Sequence, residues 1–519
     1  MDESTGYDYQ THEPSPAIPE LPVVKKQRFS IPTGKKELTF GFLILVVGWL
    51  MLNSTFFGGG LQLGFSIFAA AGMLLTAIYL LSSGAKPTFY TCLLFLLDLF
   101  IIASFARSND SFVKFILTCF LLVSVNLCFC LLAKQNLRDP GGVSALLDVI
   151  RSVILLSTGK MPAAIRGLAE SSRKGGHGVK KAGSALLGVA IALPLLCILI
   201  PLLIKADAAF EAVLNQLPDI RGAEIFVTFL LGTPFGFWLY LRGTGLQHTP
   251  KAAAKESRKH KGIGALTINI VLVAVSAVYV IYLVSQLAYF SGGFSGILPE
   301  GYTFAEYARR GFFEMAWICA INLLTMCLAV GLCARKNDRT PIVTRLLCLF
   351  IGLVTLFLVI ASSAKMYMYI DAYGLTRLRV LTEVIIVFMA LTTITVSLWL
   401  FIPKLPYMKV ILLIGLMIGA AVSWADVDTV VAKYNVAAYQ TGKLETIDME
   451  YMWTLDYGAA PYIAQLTETE DLYVATRAQD ILNNHYAYPD IKDFRFWNYA
   501  KSSALAYLPE PETEMAKID

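Results

Sequence analysis

The stretch I-V-T-R-L-L-C-L-F-I-G-L-V-T-L-F-L-V-I-A-S, Ile342 to Ser362, carries a single charge, Arg345, in 21 residues. Wound as a helix it would be about 31 Å long, which matches the hydrocarbon thickness of a bilayer. Ten more runs of similar length and character surround it: Leu38 to Phe57, Leu61 to Leu81, Thr88 to Phe105, Phe112 to Ala133, Ala182 to Leu203, Gly222 to Leu241, Ile263 to Leu287, Phe312 to Cys333, Val380 to Ile402 and Tyr407 to Trp424. Backbone polar groups in lipid must be satisfied within the segment, so continuous runs of this length read as helices and not as alternating barrel strands. The expected fold is all-α, a polytopic transmembrane bundle of about 11 spans. A charged fraction of 16% fits a chain that spends most of its length in lipid, since soluble domains carry about 25%.

Lys and Arg set the orientation, because cytoplasmic connections carry the excess. With the N-terminus inside, 27 fall in cytoplasmic segments and nine in the opposite short loops. The expectation is a multi-pass plasma-membrane protein with a cytoplasmic N-terminus and, the span number being odd, an extracytoplasmic C-terminus. No cleavable signal peptide is expected, since the run at Leu38 is too long for one and a second span follows almost at once.

The chain then divides into five parts. Residues 1–37 are acidic and Pro-rich, expected to be disordered, and end in a basic cluster from Lys25 to Lys36 that suits anionic lipid head groups. Residues 38–133 hold four transmembrane helices. Residues 134–181 form a basic cytoplasmic loop in which Val143, Leu146, Leu147, Ile150, Val153 and Ile154 predict an interfacial helix. Residues 182–424 hold seven more spans, with a short amphipathic helix predicted around Phe210, Val213, Leu214 and Leu217. Residues 425–519 change character, with 16 acidic against seven basic residues and 14 aromatics from Tyr434 to Tyr507. That aromatic content predicts a small packed exterior helical domain instead of a disordered tail.

The nine cysteines lie in the apolar runs or at their edges, so no disulfide framework is expected, and Cys128 and Cys130 read as buried small hydrophobes. No G-x-x-x-x-G-K-[ST], H-E-x-x-H or G-x-S-x-G occurs, which argues against phosphate-loop ATPase, zinc protease and α/β-hydrolase chemistry. No metal, cofactor or nucleic-acid partner is indicated. The basic loop reads as a solvated positive-inside segment.

Polar residues concentrate instead at the outer ends of the later helices. Between Tyr289 and Arg310 the glycines Gly292, Gly293 and Gly296 and Pro299 predict a helix break. Glu306 then meets Arg309 and Arg310, and Arg310 meets Glu314, at helical spacing. A second stretch, Lys365 to Arg379, brings Asp371, Arg377 and Arg379 close to Glu383, which sits inside an apolar run. Arg379 and Glu383, one turn apart, predict a neutralising pair or a ligand site. Asn126, Asn269 and Asn322 predict interhelical hydrogen bonds. Asp98, between Leu97 and Leu99, must find a partner on another helix, bind a cation or stay protonated.

These stretches resemble a family of bacterial polytopic membrane proteins known as domain of unknown function 4173, related to family 4153. The resemblance lies in Y-F-S-G-G-F-S-G-I-L-P-E-G-Y-T-F-A-E-Y-A-R-R-G-F-F-E, Tyr289 to Glu314, and Y-G-L-T-R-L-R, Tyr373 to Arg379. It continues in V-D-T-V-V-A-K-Y-N-V, Val427 to Val436, and L-D-Y-G-A-A-P, Leu455 to Pro461. It implies a bacterial plasma membrane of the Gram-positive kind, and no catalytic role passes to any residue. Two functions compete. In one, the bundle transports or exports an ion or polar solute past Glu306, Arg309, Arg310, Glu314, Asp371, Arg377, Arg379 and Glu383. In the other, a non-catalytic sensor or scaffold uses its exterior domain to meet a wall component or partner protein. A lipid-modifying enzyme acting through Glu383 or Asp371 is a weaker third.

Overall fold

A computed structural model describes residues 35–135, 150, 199, 203, 221–248, 262–293, 312–334, 340–486, 488, 489 and 491–509. Ten of the eleven apolar runs coincide with helices: α1 (Lys35–Phe57), α2 (Leu63–Ser82), α3 (Phe89–Ser104), α4 (Ser111–Leu132), α5 (Arg221–His248), α6 (Ala265–Gly293), α7 (Phe312–Leu332), α8 (Ile342–Tyr373), α9 (Arg377–Phe401) and α10 (Tyr407–Ala425). The run at 182–203 lies outside the described residues apart from two positions, as do residues 1–34, the interfacial helix expected in 134–181 and the helix expected at 210–217.

Among the described residues, eight helices are long and apolar enough to cross a membrane. Eight of the expected 11 or so spans are thus found among the described residues. Helix α3 has 16 residues, and α5, which carries Arg221, Glu224, Arg242 and His248 toward its two ends, is not among the eight. Two cations near the ends of their apolar runs are buried inside helices. Lys114 is buried in α4 and Arg242 is buried in α5, so neither is a loop charge.

Helices α1 to α5 and α10 share one apolar cluster that includes Ile44, Leu80, Leu94, Ile101, Leu117, Leu241 and Leu416. Helices α6 to α9 build two smaller ones, around Leu272, Met326 and Ile351 and around Val354, Leu358 and Ile386. Helix α10 touches both groups. The α1–α5 seam depends on glycine: a Cβ at Gly48 would come within 2.8 Å of the Gly236 Cα. Small residues let two backbones approach where lipid gives no hydrophobic drive for association. Asn322 accepts from Tyr279 (2.5 Å) and donates to Thr355 (2.9 Å), and Asn269 accepts from Thr344 (2.7 Å), as expected of interhelical amides. Asn126 instead donates to the Leu122 carbonyl of its own helix.

Contacts between helix ends sort them into two sets. At one end Lys36 donates to Ser83 (2.5 Å), Gln247 to the Ser83 carbonyl (3.2 Å), Gln135 to the Leu246 carbonyl (3.1 Å) and Tyr90 to the Lys409 carbonyl (3.3 Å). The other end gathers Asn53, Gln62, Ser108, Glu224, Trp424 and the chain after Ala425. Helix α6 continues through Gly292 and Gly293, so these two do not break it.

The remainder is a set of short helices: α11 (Val427–Gln440), α12 (Met449–Trp453), α13 (Ala460–Ile463), α14 (Leu472–Asp480) and α15 (Tyr499–Ala504). Side chains of Asp448, Asp471 and Asn498 cap α12, α14 and α15, meeting N–H groups left over at a helix start. Val427, Val431, Val436, Met452, Leu455, Ile463 and Ile481 are buried in the same cluster as α1 to α5 and α10. The apolar core of residues 427–508 is thus continuous with that of the membrane helices.

Candidate functional site

Helix α8 has 32 residues, about 48 Å at helical rise, so it outruns the lipid by several turns. The polar stretch from Lys365 onward is this extension, which ends at Gly374 with φ +73°. A left-handed glycine at that position is a common helix stop. Thr376 then caps α9 by accepting from the Arg379 N–H (3.3 Å). The α8–α9 turn therefore presents Arg377 and Arg379 from a fixed backbone.

Arg377 meets Asp428 of α11 side-on, with Nε donating to Oδ1 and Nη2 to Oδ2. The Asp428 side chain is 1% exposed and that of Arg377 35%. A bidentate guanidinium–carboxylate pair is among the stronger and more directional polar contacts a protein makes. Asp428 Oδ2 also accepts from the Asp456 N–H (2.8 Å), and the Arg377 N–H donates to the Tyr451 hydroxyl (2.6 Å). Asn435, two turns along α11, accepts from the Leu375 N–H (2.7 Å) and donates to the Leu375 carbonyl (2.9 Å). Its amide completes the open backbone edge of the turn.

A second layer surrounds Asp426, which links α10 to α11 with φ +58°. It accepts from Thr429 (2.7 Å) and Ser108 (3.1 Å). Thr429 also contacts the Gly458 carbonyl (3.1 Å), and a Cβ on Gly458 would overlap the Asp426 carboxylate. Burial pushes the Asp426 carboxyl up to about 6, the Thr429 and Ser108 hydrogen bonds oppose this, and Asp428 and Asp456 add to it. Burial lowers the Lys501 ammonium, with Asp456 opposing, and raises the Tyr486 phenol, whose hydroxyl donates to the Leu455 carbonyl (3.2 Å). Asn109 donates to Asp456 (2.7 Å) and receives from Gln62 (3.2 Å). Arg107 donates to the Trp424 carbonyl (2.5 Å) and lies 4.9 Å from the Tyr499 ring centroid. Asn498 donates to the Ser108 carbonyl (2.6 Å). To one side, Arg495 pairs with Asp493 (2.7 Å) and Glu224 and donates to Asn53 (2.7 Å).

Three separate stretches of the chain thus converge on one joint: Tyr373–Arg379, Val427–Val436 and Leu455–Pro461. They are the last three that carry the resemblance described above. Asp428 touches all three, through its own helix, through Arg377 and through the Asp456 N–H.

Of the residues singled out from sequence, Arg377 belongs to this joint. Asp371 is exposed and pairs with Lys443 (2.8 Å). Arg379 and Glu383 do not pair. Arg379 turns back, with its guanidinium 3.9 Å from the Tyr369 ring centroid, and donates to the Tyr373 (2.9 Å) and Gly374 carbonyls. The reason is the end of α8, whose orphan carbonyls and negative dipole attract a cation more directly than a side chain one turn away. Glu383 is half-buried and accepts from Ser363 through one oxygen (2.9 Å), the other having no partner. Glu306, Arg309 and Arg310 lie outside the described residues, as does the side chain of Glu314 on α7. Asp98 is fully buried in α3.

Sequence reasoning missed Asp426, Asp428, Asp456, Asn435 and Lys114. Asp426 and Asp428, two residues apart at the end of an apolar run, were visible as a D-V-D, but nothing local said that Arg377 would meet them. Lys114, 5% exposed, donates to the Leu61 carbonyl (2.5 Å). The joint's carboxylates and cations hold one another and the backbone. Among the described residues there is no cluster of three or more His, Cys, Asp or Glu able to hold a metal ion.

Neither the curated proteins nor the solved structures contain a match to this chain. The family model described as Domain of unknown function (DUF4153) matches residues 45–466, more than three quarters of the chain and all three stretches that meet at the joint, and the chain belongs to that family.

Proposed function

We propose that the protein is a multi-pass plasma-membrane sensor or scaffold, with no catalytic activity, in which residues 427–509 form a cap on the outer ends of the helices. The observation that carries this reading is the Arg377–Asp428 contact. It ties the cap to α8 and α9, while Arg107, Asn498 and Arg495 tie it to α1 to α5. A cap held on both helix groups transmits a load from one to the other. The cap faces the exterior in this reading, the N-terminus is cytoplasmic, and the basic segments rest on anionic lipid. Leu472 and Tyr473, 80% and 60% exposed, mark the part of the cap that meets a wall component or partner protein. At the finer level of family, the three convergent stretches support a place beside domain of unknown function 4173, in a bacterial membrane.

The test is genetic and physical together. Leu472→Asp with Tyr473→Asp should leave insertion and thermal stability intact yet reproduce the phenotype of a gene deletion. Full complementation by this variant would remove the cap from the function. Transport of an ion or polar solute is the second reading, favoured by the buried ionisable residues Asp98, Lys114 and Arg242. It predicts that the same variant complements.

A further inference from the structure

Asp98 stands nine residues into α3, about 13 Å along the helix axis from its start. It is 0% exposed, and neither carboxylate oxygen has a hydrogen-bond partner. The titratable and polar groups around it are Tyr90 on its own helix and Ser124 and Cys128 on α4. The Ser124 hydroxyl is the neighbour that acts on the carboxylate, but it too lies outside hydrogen-bond geometry. Tyr90 donates elsewhere, to the Lys409 carbonyl of α10, and the Lys409 ammonium sits over the Tyr90 ring at 5.0 Å. Cys128 donates to the Thr91 carbonyl (3.4 Å). The titratable group of α2 is Tyr79, which is bonded to His248 (3.2 Å).

No described Lys, Arg or His forms an ion pair with Asp98. Two described cations are buried in this half of the bundle, Lys114, which donates to the Leu61 carbonyl, and Arg242. Its guanidinium lies 5.4 Å from the Phe129 ring centroid, with Nε and Nη2 unpartnered. A bare carboxylate without donors is among the costliest groups to bury in lipid, and neutralisation by a proton is the ordinary outcome. A metal cation would need a shell of several oxygens, and among the described residues no cluster of three or more His, Cys, Asp or Glu could hold one.

We propose that Asp98 is an intramembrane proton-binding site, whose carboxyl carries a proton in the arrangement seen and exchanges it in function. The inference is independent of the cap and holds for a pH-responsive scaffold or a proton-coupled transporter alike.

The probe is dicyclohexylcarbodiimide, an apolar reagent that enters lipid and reacts with protonated carboxyls. The carboxyl O–H adds across one C=N bond, the proton going to nitrogen and the carboxyl oxygen to the central carbon. The acyl group then migrates from oxygen to nitrogen, giving a stable N-acylurea, so one whole reagent molecule is retained and nothing leaves. The full-length protein in detergent is labelled over a pH series and read by peptide mass spectrometry. The expected result is a single adduct on the Asp98 peptide, absent in Asp98→Asn. Labelling should fall about tenfold for each pH unit beyond one midpoint. Absence of an adduct at Asp98 in the wild-type protein, labelling that ignores pH, or protection by sodium at constant pH would each overturn the proposal. The wild-type measurement stands even if a variant fails to fold.

Discussion

Arg377 and Asp428, 51 residues apart in the chain, meet through two parallel N–H···O contacts at the end of the bundle that carries residues 427–509. The carboxylate is buried and the guanidinium half-exposed, so the acid depends on the base more than the reverse. A buried charge that loses its partner is far costlier than an exposed one. The pair therefore acts as a latch, and the contacts around it carry distinct consequences.

Exposure separates the latch from its neighbour. Asp371 and Lys443 also bridge α8 and the chain after α11, but both side chains are about half exposed. Solvent-exposed pairs contribute little. Asp371→Asn is expected to leave the thermal midpoint of the detergent-purified protein unchanged, whereas Asp428→Leu lowers it clearly.

Asn435 is a stricter case, because it serves backbone groups that have no other partner. Asn435→Leu keeps the volume and strands the Leu375 N–H and carbonyl, an expected loss of about 2 kcal/mol. Protease cleavage between residues 427 and 509 in intact membranes should rise in parallel. Unchanged protection would mean that the turn does not need the amide.

Asp426 predicts a pH dependence with a definite sign. Its carboxyl is raised from 3.8 unfolded to about 6 folded, mainly by burial. The folded state therefore binds this proton more tightly than the unfolded state. The contribution is most favourable below pH 4, declines as pH rises through the window from about 4 to 6, and is fully lost above it. The whole change is about 3 kcal/mol. Asp426→Asn keeps the backbone, since Asn tolerates the positive φ. The difference in stability between wild type and variant should change across that window and be flat above it.

The proposed side of the membrane rests on the excess of Lys and Arg in the segments expected to be cytoplasmic. In a cysteine-free background, Glu470→Cys should react with an impermeant thiol reagent applied to intact cells and Ser171→Cys should not. The reverse pattern would place the cap in the cytoplasm.

Periodic features were legible in the sequence and pairwise ones were not. Runs such as Ile342–Ser362 announced their helices because hydropathy is local, and Asn269 and Asn322 announced interhelical bonds because an amide in lipid has few alternatives. Arg379 was misassigned to Glu383 because spacing along one helix says nothing about the end of the preceding helix, whose carbonyls took the guanidinium. Arg242 lies one residue past its apolar run and is buried because α5 extends to His248, and Lys114 within its run reaches the Leu61 carbonyl, neither of which hydropathy shows. Asp428 was passed over as one acid among many in an acidic tail. Only the fold brings it to Arg377.

The central claim is that the Arg377–Asp428 contact latches the cap to the membrane helices, and a double-mutant cycle tests it most directly. Arg377→Gln, Asp428→Asn and the double variant are purified in detergent, and their unfolding is compared with wild type by denaturant or heat. The account predicts a coupling of about 2 kcal/mol, with Arg377→Gln the more damaging single change and the double variant recovering part of its loss. Additive effects, equal within about 0.5 kcal/mol, would show that the two residues do not act together and would contradict the latch.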